Sequence, residues 1–464
     1  TAGLLTSALL EEDPEQFRPI GPLSWSGKDS SGTRAARAAV KRSHEGNVAE
    51  RPAVFVLPGI LGSHLKVDGK RVWLSIRFIS GLERLRWDPR TADRVAPDGP
   101  VDMSYEALIE RLADTHEVFP FAFDWRRPIE DEAKRLAAEV EKALAVREAT
   151  KQPVRFVAHS MGGLVVRTMR LEAPETWKKV MEREGARFLM LGTPNGGSFA
   201  PMQVLTGDDP FGNLFTTWGG LFDGLGQRNL VAGMPGLLQL QAGLLDGELK
   251  LGLRSTWERL EEADLKKIRR RIRHKAFWHR DPSQQREMRW GIPPQEVLDR
   301  AVALRKRLDE QRAAFADGKT LLVVGKAKAT PAGIKELEED ERVVYLDTAD
   351  GDGRVTLENA LLPGVPTWQV DVVHGELANA KKAFDAYVEL LQKGETAELP
   401  IVTPSARRGV ERGERAQILT YSRPSRTMRA DVPPSGMNEV FAGEAERERP
   451  AAEPGMRLNV RVLN

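Results

Sequence analysis

Residues 154–167, "VRFVAHSMGGLVVR", run four β-prone residues into Ala158-His159-Ser160-Met161-Gly162-Gly163 and then resume an apolar helical pattern. A strand that turns at once into a helix needs small residues on both sides of the apex. The apex residue is held in a strained backbone conformation that larger neighbours would obstruct. Ala158, Gly162 and Gly163 meet that need. Ser160 then sits at the apex with its hydroxyl exposed above a sheet, at the N-terminus of a helix whose backbone N–H groups and dipole favour developing negative charge. The arrangement reads as a nucleophile elbow with Ala in place of the usual first Gly. The bland alternative is an ordinary strand-to-helix turn with a capping serine.

The flanking sequence repeats the same alternation. "AVFVLPG" (53–59) is a short apolar run stopped by Pro-Gly, "SYEALIERLAD" (104–114) has helical spacing, and "HEVFPFAFDW" (116–125) is β-like. A long amphipathic helix opened by Pro and acids follows in "PIEDEAKRLAAEVEKALAVRE" (128–148). After the elbow come "GLVVRTMRLEA" and "ARFLMLGTP", and much later "TLLVVGK" (320–326), "RVVYLD" (342–347) and "TWQVDVVHG" (367–375) before a last helix. Strands that are apolar through most of their length and alternate with helices predict an α/β fold with a mostly parallel sheet covered by helices on both faces.

That core spans 51–200 and 318–394. Between them, 201–317 reads as an inserted cap or lid of Gly, Leu, Phe and Trp loops and charged helices. Residues 1–50, rich in Ser, Arg, Ala and Gly, read as a mobile or peripheral N-terminal extension. Residues 395–464 read as a linker leading into a further β element, "RLNVRVLN". The missing initiator Met and that abrupt end suggest a processed chain or a piece of a longer one, with an additional domain or chain beyond Asn464.

Acidic and basic residues nearly cancel, 67 against 69, which gives no argument for a nucleic-acid partner. Cysteine is absent, which removes disulfides, thiolate metal sites and a cysteine nucleophile together. No stretch reaches the roughly 18 apolar residues of a membrane span, and the N-terminus lacks the basic region of a secretory signal. A cytoplasmic or peripheral membrane protein is the expectation.

A serine hydroxyl needs a base and an acid to orient that base, and in this fold they follow in the order Ser, acid, His. Three histidines follow Ser160. His274 and His279 lie in "RRRIRHKAFWHR", where a solvated or lipid-facing role is more natural. His374, in "VDVVHGEL", falls between a β-run and the last helix and is the candidate base. "DTADGDGRVTLENA" offers Asp347, Asp350 and Asp352 as the acid; the Gly-Asp-Gly turn favours Asp352, against an Asp-rich turn or a partial calcium loop. Oxyanion donors are expected at the Met161 N–H and, from "VLPGILGSHL", at Ile60. No cofactor or metal is called for.

Together "PGILGS", "FDWR" (123–126), "AHSMGG", "GTPNGG" (192–197), "GDGRVT" and "VVHGEL" resemble, in order and spacing, the lecithin:cholesterol acyltransferase family, which includes lysosomal phospholipases and phospholipid:diacylglycerol acyltransferases. The resemblance covers roughly 52–200 and 320–390. It implies an α/β-hydrolase fold, a Ser160-Asp352-His374 triad, Ile60 and Met161 as oxyanion donors, and a lipid acyl ester as substrate. Departing from secreted animal members, this chain has no cysteines to staple a lid. Trp73, Trp125, Phe215 and Trp218 are candidate substrate-binding aromatics.

In the insertion, "DPFGNLFTTWGGLFDGLG" and "LVAGMPGLLQLQAGLL" either pack as a cap core or open onto an acyl chain. "LKKIRRRIRHKAFWHR", with Trp257, Leu260, Ile268 and Ile272 inward, displays a basic face for peripheral contact with an anionic membrane. A charged helix that is merely solvated is the competing reading. The function expected is a serine hydrolase or acyltransferase of lipid esters working through an acyl-enzyme. The alternatives are a hydrolase-fold binding or regulatory module of a larger protein, and a non-lipid esterase or peptidase.

Overall fold

The computed structural model describes residues 31–73, 82–101, 104–207, 224–275, 289–337, 342–402 and 419–421. Its centre is a six-stranded sheet in the order β11-β8-β7-β6-β1-β5, every neighbouring pair parallel. The strands are β1 (Ala53–Leu57), β5 (Glu117–Pro120), β6 (Val154–His159), β7 (Phe188–Leu191), β8 (Thr320–Val324) and β11 (Thr367–Gln369). Continuous apolar runs are needed because both faces are covered. Phe55, Leu57, Phe156, Phe188 and Met190 point into one core, while Val54, Val56, Val157, Leu189 and Leu191 point into another. This sheet order, with an elbow at the end of β6, makes the chain an α/β-hydrolase fold.

On the first face lie α3 (Ile129–Val146) and α4 (Met161–Glu172). On the second lie α1 (Ser31–Ser43), α2 (Glu106–Ala113) and α7 (Phe384–Lys393). Of the mobile or peripheral extension expected over 1–50, the described part from residue 31 onward packs against the second core. Ala36 and Val40 of α1 join the second core. At the end of α1, Ser43 Oγ accepts from Val118 N–H at 3.1 Å and His44 Nε2 donates to Val118 O at 2.8 Å. These contacts occupy the backbone of β5, the edge strand, which would otherwise offer unpaired donors and acceptors. The opposite edge is covered from 395–402: Gln369 N–H donates to Pro400 O and Val402 N–H to Thr367 O beside β11. The terminal segments "TAGLLTSALLEEDPEQ" and "RLNVRVLN" lie outside the described residues.

"RVVYLD" does not rejoin the parallel sheet. It forms β10 (Arg342–Thr348), paired antiparallel with β9 (Thr330–Leu337) and β12 (Leu419–Tyr421). The physical reason is connection length: only residues 338–341 separate β9 from β10, whereas parallel neighbours need a crossover of roughly a dozen residues. A second antiparallel sheet, in the order β3-β2-β4, contains β2 (Ser63–Val67), β3 (Lys70–Trp73) and β4 (Val95–Pro100).

Where it is described, the insertion packs as a cap core. Leu230, Met234, Leu238, Leu240 and Leu244 share one apolar cluster with Phe156 and Met190 of the sheet. So do Trp257 and Leu260 of α5 (Arg254–Lys275), and Leu298, Leu304 and Leu308 of α6 (Gln295–Glu310). Residues 208–223, and the side chains of Ile268, Ile272, His274 and His279, lie outside the described residues. No helix among the described residues is long and apolar enough to cross a membrane.

Polar contacts tie the insertion to the helix after the elbow. Buried Arg167 of α4 donates to Asn195 Oδ1 at 3.0 Å, and buried Arg305 of α6 donates to Asn195 O at 2.7 Å. Asn195 Nδ2 donates in turn to Ala360 O at 2.6 Å. Asn195→Ala leaves Arg167 with the Asn195 carbonyl but strands the Ala360 carbonyl in the interior, which costs about 1 to 3 kcal/mol. The urea midpoint should fall accordingly, and an unchanged midpoint would show that the side-chain bonds of Asn195 to Arg167 and Ala360 add nothing to stability.

Candidate active site

β6 ends at His159 and α4 begins at Met161, so the whole reversal falls on Ser160, with φ 52° and ψ −122°. A side chain in that region is strained and persists only where its surroundings enforce it. Here Ser160 N–H donates to Leu191 O of β7 at 2.8 Å, and Gly163 N–H closes back on Ser160 O at 3.0 Å. The first turn of α4 then runs against neighbouring backbone. A Cβ on Gly162 would lie 2.6 Å from Pro58 O, and one on Gly163 would lie 1.9 Å from Thr193 Oγ1. The capping-serine alternative is not what forms, since the Ser160 side chain makes no cap hydrogen bond.

The hydroxyl is instead paired with His374: Ser160 Oγ to His374 Nε2 is 2.8 Å. His374 opens a short 3₁₀ turn (His374–Asn379) just after β11. Its Nδ1 lies 2.8 Å from Asp352 Oδ2, and its backbone N–H donates to Asp352 O at 2.8 Å. The other carboxylate oxygen, Oδ1, accepts from Arg354 N–H at 3.0 Å and Val355 N–H at 2.7 Å. An ionised carboxylate only accepts, so this pairing places the imidazole proton on Nδ1 and leaves the Nε2 lone pair facing the serine hydroxyl. Of the three acids weighed, Asp352 is the one brought to His374. Asp350 is exposed, and Asp347 lies in β10, where burial pushes its carboxyl up to about 6.

The loop after β1 passes in front of the elbow and is pinned at successive residues. Gly59 N–H donates to Tyr105 Oη at 2.9 Å, Leu61 O accepts from Trp73 Nε1 at 2.8 Å, and Gly62 O accepts from Val101 N–H at 2.8 Å. Ser63 O accepts from Trp125 Nε1 at 3.2 Å. Among the described residues neither the Ile60 N–H nor the Met161 N–H is matched to an acceptor. Unmatched backbone donors on the loop and at the start of α4 suit an oxygen that gains negative charge.

Trp73 and Trp125, expected as substrate-binding aromatics, are buried beside the loop after β1. They are 2% and 1% exposed and pack edge to face at 5.3 Å inside the core. A buried indole N–H needs an acceptor, and these two find theirs in the carbonyls of the 58–63 loop, which they brace from behind. Phe215 and Trp218 lie outside the described residues.

Two residues that the sequence did not single out stand behind the elbow. His159 is buried, with Nδ1 2.9 Å from Tyr105 Oη and Nε2 2.9 Å from His374 O. Burial first, then the neighbouring His374, pushes His159 down to about 3, and burial raises the Tyr105 phenol above its usual range. His159 lies inside the elbow motif, but Tyr105 carries no local signal. Only its contact with residues 46 and 54 positions away reveals it.

Residues 104–217 match the family model for lecithin:cholesterol acyltransferase. The chain is 31% identical over 132 residues to the uncharacterised protein YJR098C of Saccharomyces cerevisiae, covering 24% of this chain and 20% of that protein. It is 36% identical over 90 residues to phosphatidylcholine-sterol acyltransferase of Rattus norvegicus, covering 19% of each. The chain thus matches about a fifth of the length of these relatives, and over that central segment it is lecithin:cholesterol acyltransferase-like. Among solved structures, the lipase BlEst2 of Bacillus licheniformis in mature form aligns at 14% identity and a TM-score of 0.33, covering 75% of this chain and 95% of that one.

The buried titratable groups give stability a pH dependence. His159 and His116 are both pushed down to about 3, His116 by burial and then by Arg155, whereas an unfolded histidine titrates near 6.5. Below about 6.5 the unfolded chain binds protons that the folded chain refuses, so this stability is present above that pH and is lost as pH falls toward 3. Asp347, raised to about 6, keeps a proton in the folded state and offsets one histidine below that pH. Glu132, also raised by burial, adds to that offset, so the net expectation is a loss of at most about 2 kcal/mol in unfolding free energy between pH 6.5 and pH 5. Urea titrations at the two pH values test it; equal stability would mean that these histidines are not held neutral.

Proposed function

We propose that this chain is a serine esterase or O-acyltransferase acting on lipid acyl esters, with Ser160 as nucleophile, His374 as base and Asp352 as the acid that orients it. The observation that carries the reading is the continuous hydrogen-bonded series from Ser160 Oγ through both His374 nitrogens to Asp352, at 2.8 Å and 2.8 Å. These three residues come from three separate loops at one end of the parallel strands, where ligands of open α/β sheets bind.

In the first half-reaction His374 Nε2 takes the Ser160 proton as Oγ attacks the ester carbonyl carbon. The N–H groups of Ile60 and Met161 hold the resulting oxyanion; removal of one such donor typically costs about 3 to 4 kcal/mol of barrier. Collapse breaks the ester C–O bond, the leaving alcohol takes the proton from His374, and the acyl group remains on Ser160. In the second half His374 deprotonates the acceptor, which attacks the acyl-enzyme and restores the serine. Water as acceptor gives a fatty acid; an alcohol gives a new ester. The lipid class of the acyl donor rests on the family match over 104–217 and on the relatives named for phosphatidylcholine and sterol.

A fluorophosphonate probe should label wild type and leave Ser160→Ala unlabelled; a folded wild type that resists labelling would end the enzyme reading in favour of a binding module. Asp352→Asn should keep the fold and lose about 10⁴-fold in turnover through the wrong imidazole tautomer. Full activity in that variant would remove Asp352 from the mechanism. Mass spectrometry of products from mixed phospholipid with added long-chain alcohol separates hydrolysis from acyl transfer, and turnover of peptides in preference to these lipids would end the lipid reading.

A further inference from the structure

The hydrogen bonds behind Ser160 have only one consistent direction. A carbonyl oxygen accepts and never donates, so the contact of His159 Nε2 with His374 O puts the His159 proton on Nε2. Nδ1 of that neutral ring is then an acceptor, and the group beside it, 2.9 Å away, is the Tyr105 hydroxyl. Tyr105 therefore donates to His159. Its oxygen is left free to accept, and it accepts the Gly59 N–H at 2.9 Å. The series runs from Gly59 N–H to Tyr105 O–H to His159 Nδ1, and from His159 Nε2–H to His374 C=O.

We propose that Tyr105 and His159 are positioning residues that form a relay, setting the loop that carries the Ile60 N–H against the loop that carries His374, with Ser160 between them. The proposal rests on the reading of Ser160, His374 and Asp352 given above. One end of the relay is the Pro58–Gly59 peptide, next to the one that carries the Ile60 N–H; the other is the peptide carbonyl of the base itself. His374 is thereby held by both of its peptide groups, its N–H on Asp352 O and its C=O on His159 Nε2.

The loop also lies directly on the relay. A Cβ on Gly59 would be 3.2 Å from His159 Nδ1, and one on Gly62 would be 2.8 Å from Tyr105 Oη. Neither Tyr105 nor His159 is hydrogen-bonded to Ser160 Oγ in the series from Gly59 to His374, so both act through other residues. An error in the separation of the two loops would misplace the oxyanion donor relative to the base. That weakens the transition state more than the bound ester, so it should appear in kcat and not in KM.

Steady-state kinetics of the full chain on p-nitrophenyl esters test the relay. Tyr105→Phe removes one oxygen and should lower kcat about 10- to 100-fold, the scale of a small misplacement at a reacting centre, with KM and the unfolding midpoint little changed. His159→Gln keeps a donor for His374 O but loses the acceptor for Tyr105, and His159→Asn does the reverse; each should also lower kcat. Because the bonds act in series, pairing Tyr105→Phe with either His159 variant should cost no more than the worse single change. Losses that multiply, a loss confined to KM, or wild-type kcat in Tyr105→Phe would each overturn the relay. If Tyr105→Phe does not fold, His159→Gln carries the same comparison. Fluorophosphonate labelling separates the two levels. An unlabelled wild type sinks the reading of Ser160 and the relay with it, whereas wild type and Tyr105→Phe labelling at one rate sinks the relay alone.

Discussion

The first turn of α4 lies in direct contact with the ends of β1 and β7, a contact open only to residues without side chains. Gly162 touches the Leu57–Pro58 backbone and Gly163 touches Thr193, and these contacts force the whole strand-to-helix reversal onto Ser160 at positive φ. Strain of that kind, of order 1 to 3 kcal/mol, survives only in an environment that over-determines it. The parallel sheet supplies that environment through the Ser160 N–H bond to Leu191 and the close packing of its strand ends. The meeting of the Ser160 hydroxyl with His374, and a Met161 N–H unmatched among the described residues, follow from where this one turn is placed.

Around the turn, rigidity comes from backbone groups held by buried side chains. Trp73, Trp125 and Tyr105 each take one peptide group of the 59–63 loop, and His159 takes one of His374. Farther out, Arg167, Arg305 and Asn195 fasten the inserted helices to α4, and the apolar side chains of that insertion continue the core of the sheet. The described part of the insertion is therefore one body with the hydrolase core.

Much of this was legible in the residue order. The apolar runs of β1, β6, β7 and β8 announce a sheet buried on both faces, and "AHSMGG" announces the elbow because few sequences place three small residues around one serine between a strand and a helix. His374 could be singled out because only three histidines follow Ser160. "RVVYLD" was misassigned because an apolar run does not state its partner; the short connection from an unrecognised β9 makes it a hairpin strand. That Trp73 and Trp125 are buried was not legible, because an aromatic near a site reads the same from either side of a loop. The packing of residues 31–43 was not legible because Ala36 and Val40 gain their meaning only from α2 and the edge of β5.

By itself the sequence determined the alternating architecture, the serine at the apex and a short set of partners for it, since these depend on local periodicity, on residue size and on chain order. Only the tertiary structure decided which acid reaches His374, which side of the 58–63 loop the indoles occupy, and that Tyr105 meets His159. Those outcomes turn on ångström distances between groups tens to hundreds of residues apart, and such distances are set by how the layers pack, a quantity that no single segment of the chain encodes.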